Sequence, residues 1–132
     1  MTVKIKGNGL GFKKIFEVKG SVNNQDRADE MLIKLLELSV DNDKDVEQLS
    51  EKEQLKFSIE NLKKERLFKK DAFLFLQKTL KLTDKQVEEA GENVDFSELG
   101  EFLSYVIGRI KGRTEEQIEL DKQETEKDPK KE

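Results

Sequence analysis

The 132-residue chain contains no cysteine, no histidine and no tryptophan. Without thiols it has neither disulfides nor a thiolate nucleophile, and without imidazole it lacks the commonest general base and the usual Cys/His metal ligands. Lysine or carboxylate chemistry stays formally open, but Asp and Glu are scattered along helix faces, so the chain reads as a non-enzyme with no cofactor and no metal. No apolar run approaches the roughly 18 residues that span a bilayer, and the first residues, MTVKIKGNG, lack a signal-peptide h-region. The expected location is the cytoplasm. A net charge of −4 leaves no whole-molecule field to draw in nucleic acid or an anionic membrane.

What is present is charge and helical periodicity. Charged residues make up 41% of the chain and apolar residues 34%, which suits one small body with a modest core under a solvated surface. The expected fold is mainly α: a bundle of about four helices with a short N-terminal β-hairpin and a disordered, charged C-terminal tail. Residues 1–22 form the extended hairpin segment, 23–112 the helical body and 113–132 the flexible tail. That tail carries five basic and eight acidic residues, so most of the net acidity lies there.

The chain is organised around Phe96–Thr114. On a helical wheel Leu99, Phe102, Leu103, Val106, Ile107 and Ile110 fall within about 140°, a core-facing stripe. Ser97 occupies an N-cap position and Gly112 a C-terminal stop. Upstream, Val3 and Ile5 alternate with Lys4 and Lys6, and Phe12, Ile15, Phe16 and Val18 follow a turn containing Gly7, Gly9 and Gly11, read as a flexible hairpin turn because no P-loop Lys-Ser/Thr follows. A helix capped by Asn23 or Asn24 runs to about Val40 with Ala28, Met31, Leu32, Leu35, Leu36 and Ser39 on one face. Asp41-Asn42-Asp43 ends it; these residues lack the spacing of a calcium loop.

Ser50 with Glu53 forms a capping box, opening one helix, or two with a bend, from about Glu51 to Leu82. Thr83 with Gln86 opens a shorter helix ending near Ala90-Gly91. Thr114 with Gln117 repeats the pattern before a segment whose only apolar residues are Ile118 and Leu120, expected to be a frayed helix passing into disorder.

Two features mark candidate partner-binding residues. In the long helix Leu55, Ile59, Leu62, Phe73, Leu76 and Leu80 share one face, while Phe57, Phe68, Phe75 and Leu82 share the opposite one. Either a break near Lys69-Lys70 re-registers the second stripe onto the same core, or those residues stay partly exposed and bind another subunit or partner. In the organising helix Gly100, Ser104 and Gly108 form a small-residue stripe beside Tyr105 and Arg109, suited to close approach by a packed neighbour or by a second copy in self-association.

The segments Leu82–Gln86 (LTDKQ) and Glu98–Gly112 (ELGEFLSYVIGRIKG), placed before a charged tail, make the chain resemble the tail assembly chaperones of long-tailed, siphovirus-type bacteriophages and prophages of Gram-positive bacteria. The likeness is best over Asp71–Gln117. It implies a non-enzymatic protein of the host cell cytoplasm, absent from the mature virion, that binds the tape measure protein and recruits subunits of the major tail tube protein during virion morphogenesis. In such families a programmed frameshift adds a C-terminal extension; Pro129-Lys130-Lys131 is compatible with a slippery codon run, and this chain would be the short form. The alternative is a small helical DNA-associated regulator contacting phosphate through Lys63, Lys64, Arg66, Lys69 and Lys70.

Overall fold

In a computed structural model, which describes residues 1–41 and 49–127, the alternation of Val3 and Ile5 with lysines becomes β1 (Thr2–Lys6), paired antiparallel with β2 (Ile15–Lys19). Val3 lies opposite Val18 and Ile5 opposite Phe16. All four are buried, which places one face of the hairpin in the core and leaves Ile15 outside.

The glycine-rich connection is not a loose turn. Gly7–Leu10 forms a 3-10 turn whose Leu10 is fully buried. A Cβ on Gly9 would stand 2.5 Å from Phe102 Cδ1, so this backbone sits directly on an aromatic ring. Gly11 then reverses the chain at φ +85°, a conformation that favours glycine. Asn93 Nδ2 donates to the Leu10 carbonyl at 3.2 Å. The turn is thus a packed plug, held in place by residues distant in sequence.

Helix α1 (Val22–Asp41) is capped by Ser21, not by the expected Asn23 or Asn24: the Ser21 hydroxyl accepts the Asn24 N–H at 3.2 Å. Asn24 turns its side chain back to donate to the Lys19 carbonyl at 2.8 Å. Ala28 and Met31 are buried and Leu32, Leu35 and Leu38 half-buried, whereas Leu36 leaves the expected stripe for solvent. The proposed Asp41-Asn42-Asp43 turn begins at the last residue of α1; Asn42 and Asp43 lie outside the described residues.

Helix α2 (Glu51–Leu80) is continuous over 30 residues. No break occurs near Lys69-Lys70. Its Ser50–Glu53 capping box is complete, and Lys81 ends it in the left-handed region at φ 59°. Lys34 Nζ of α1 meets Asp71 Oδ2 at 3.1 Å, and a small cavity between the helices brings Arg27 and Met31 near Phe75 and Lys78. The two helices therefore run antiparallel.

Helix α3 (Asp84–Asn93) starts at the Thr83–Gln86 capping box and continues past the expected stop at Ala90-Gly91. Helix α4 (Phe96–Ile110) is capped by Asp95, not Ser97, because Asp95 and Glu98 complete a reciprocal capping box. Gly112, at φ +98°, closes α4 with bonds from Gly112 N–H to the Arg109 carbonyl and from Arg113 N–H to the Gly108 carbonyl, the Schellman arrangement. Helix α5 (Glu115–Lys127) follows the Thr114–Gln117 pair. Residues 128–132, with Pro129, lie outside the described ones.

The core is built on α4. Leu99, Phe102, Leu103, Val106, Ile107 and Ile110 are all buried, each worth about 1.5–3 kcal/mol relative to exposure. Hairpin and helices share this one apolar cluster.

Candidate partner-binding surfaces

Burial in the long helix divides along its length and not between its two stripes: Leu76 and Leu80 of the first stripe are buried in its second half. In the same half Phe68 and Phe75 of the second stripe, partly exposed on only one of the two alternatives, are buried, and so is Leu82 just beyond the helix. Phe68 also stacks in a tilted pair with Phe96 at 5.8 Å. Phe57 is half-buried. By contrast Leu55, Ile59 and Leu62, assigned to the core face, are 63%, 45% and 60% exposed. The reason is register. With Lys34 beside Asp71, the last described turn of α1 comes level with about Lys64, leaving the first ~20 Å of α2 beyond it.

That projecting stretch carries a defined ridge. Leu55, Ile59 and Leu62 recur at i, i+4 and i+7, so they stand on one side of the helix. Lys52, Lys56, Lys63, Arg66 and Lys70 lie along one flank at the same periodicity. All five are exposed. Three of them, Lys63, Arg66 and Lys70, belong to the set that the DNA-regulator alternative invokes, and Lys52 and Lys56 extend the flank towards the start of the helix. Of the cations invoked for phosphate contact, Lys69 lies over the Phe96 ring at 5.8 Å.

On α4 the remaining sequence candidates meet other parts of the same chain. Tyr105 Oη accepts the Lys6 N–H at 3.0 Å and donates to Glu115 Oε2 at 2.5 Å. Burial, reinforced by the bond to the Glu115 carboxylate, pushes the Tyr105 phenol above its ordinary pKa. Arg109 Nε donates to the Lys4 carbonyl at 3.1 Å and pairs with Glu115 Oε2 at 3.3 Å, while its Nη1 donates to the Arg113 carbonyl at 2.8 Å. Both side chains tie the hairpin, α4 and α5 together.

The small-residue stripe divides. A Cβ on Gly108 would meet Ile118 Cδ1 at 3.3 Å, so the close neighbour there is α5. Gly100 has nothing within 4 Å, and Ser104 is exposed. Between α4, α5 and the 3-10 turn runs an open groove of about 910 Å³, floored by Phe102, Tyr105 and Ile118 and bordered by Glu98, Glu101 and Glu119. This groove was not anticipated, because it depends on where α5 comes to rest.

Among the described residues, no helix is long and apolar enough to cross a membrane, and no group of three or more His, Cys, Asp or Glu residues could hold a metal ion. No curated protein and no solved structure matches the chain. A family model for phage tail assembly chaperone proteins does match, over residues 1–128, taking in the hairpin, the ridge-bearing helix and the node around Tyr105. The chain belongs to the phage tail assembly chaperone proteins (TAC).

Proposed function

We propose that this chaperone binds the tape measure protein in the cytoplasm of the infected host, keeps it soluble and brings major tail tube subunits to it, without entering the finished virion. On this reading it serves a siphovirus-type phage or prophage of a Gram-positive host, as the short, non-frameshifted product. The observation that carries the proposal is the exposed ridge of Leu55, Ile59 and Leu62. Alternating steps of four and three are the spacing of a coiled-coil seam, so the ridge suits a long apolar helix laid alongside α2. The flanking lysines keep the unoccupied face soluble.

The experiment is a titration of the purified chain with a helical fragment of the tape measure protein encoded in the same genome. Replacing all three ridge residues (Leu55→Glu, Ile59→Glu, Leu62→Glu) should weaken binding by on the order of a hundredfold, since two to three apolar anchors of ~1 kcal/mol are lost. Circular dichroism should be unchanged, because none of the three contributes to the core. Undiminished binding by a folded triple variant would remove the ridge from the mechanism.

A further inference from the structure

The groove between α4 and α5 has a different chemistry from the α2 ridge. Its floor is apolar, made by Phe102, Tyr105 and Ile118. Its border is acidic. Glu101 is exposed and forms no ion pair among the described residues, and Glu119 meets only the Gln123 amide at 3.4 Å. Glu98, whose carboxylate completes the α4 cap, lines the groove as well. Two of the nearby cations are already engaged: Arg113 with Asp121, and Arg109 with Glu115. Lys6 remains at one end. An apolar trough under unneutralised carboxylates is complementary to a partner that presents apolar side chains between positive charges.

We propose that this groove is a second docking site, for a lysine- or arginine-rich protein segment that seats one or two apolar side chains against Phe102 and Ile118. The occupant is a segment of another protein. Its positive charges face Glu101 and Glu119, which supply orientation and association rate, and its apolar anchor supplies the residence time. The site is separate from the ridge on α2, so the chaperone can hold two polypeptides at once.

The test uses the full chain and a fluorescein-labelled synthetic helix of leucine and lysine, followed by fluorescence anisotropy, with a leucine–glutamate helix as the counter-probe. The lysine peptide should bind and the glutamate peptide should not. Glu101→Lys combined with Glu119→Lys should weaken binding at least about tenfold. Glu88→Lys with Glu89→Lys on α3 makes the same change in net charge away from the groove, and should alter binding less than about twofold at physiological salt. The Leu55→Glu, Ile59→Glu, Leu62→Glu variant should bind the lysine peptide normally, which separates this site from the tape measure reading. Equal losses in the two charge-reversal variants would overturn the proposal, as would loss in the ridge variant. Concentration-dependent self-association, present without peptide and abolished by Glu101→Lys with Glu119→Lys, would assign the groove to a second copy and overturn it as well.

Discussion

Tyr105 and Glu115 share a hydrogen bond of 2.5 Å that fastens the first turn of α5 to the middle of α4. The same phenolic oxygen accepts the backbone N–H of Lys6. One side chain therefore joins the hairpin, the central helix and the beginning of the charged C-terminal segment. Ile118 seated on Gly108 adds the apolar part of the same attachment.

Tyr105→Phe removes the hydroxyl but keeps the ring. It leaves the Lys6 N–H and the Glu115 carboxylate each without one partner, and should destabilise the chain by about 1–2 kcal/mol. Urea unfolding measures the total. Hydrogen exchange should show the loss concentrated in α5 and β1, with α4 little changed; uniform loss along the chain would contradict this attachment.

Alkaline pH should produce a related effect. The folded chain holds the Tyr105 proton more tightly than the unfolded chain does. Stability from this site is thus complete below the unfolded value of about 10 and declines as pH rises through the folded value. Tyr105 is the only tyrosine and the chain has no tryptophan, so phenolate absorbance reports this group alone. Its midpoint should lie above that of the urea-unfolded chain, and Glu115→Gln should move it back towards the unfolded one.

Gly9→Ala and Gly100→Ala should have opposite signs. At Gly9 the added methyl runs into the Phe102 ring, an overpacking that costs about 1–3 kcal/mol. At Gly100 the methyl enters open space on a helix, where alanine is better than glycine by up to about 1 kcal/mol. Thermal unfolding of the two variants reads both shifts. A destabilising Gly100→Ala would point to an ordered neighbour on that face.

Asp95→Ala should cost about 1 kcal/mol, and Ser97→Ala no more than about 0.5 kcal/mol. Asp95 accepts the Glu98 N–H at 2.8 Å while Glu98 accepts the Asp95 N–H at 2.9 Å. Ser97 is exposed and already inside the helix. Urea midpoints of the two variants distinguish the caps.

How far the sequence could be read depended on the range of the interaction. Capping boxes span three residues, so those at Ser50, Thr83 and Thr114 were visible as pairs. At the start of α4 the Asp95–Glu98 pair competes with Ser97, which stands nearer the apolar run. The α4 stripe was legible for a similar reason, since one strong face admits one burial. The two stripes of α2 were not, because a helical wheel cannot say how much of a helix its neighbours cover. That is decided by the Lys34–Asp71 register and by where α1 ends. The hairpin glycines were legible as a turn, whereas the reason for Gly9 is an aromatic ring in α4. Among the candidate site residues, Tyr105 and Arg109 stand out in the sequence as neighbours of the Gly100, Ser104 and Gly108 stripe, a place for contact with another chain. Their partners, Lys4, Lys6 and Glu115, lie within the chain itself.

The seating of the hairpin on α4 bears on how the protein is made. Chains emerge from the ribosome N-terminus first, and an isolated two-stranded hairpin is marginal in water. Lys4 and Lys6 wait for Arg109 and Tyr105, and the 3-10 turn waits for Phe102, all of which are translated after the three preceding helices. The hairpin is thus translated well before the helix that seats it, and its 3-10 turn lacks the Phe102 ring it packs on until α4 has emerged.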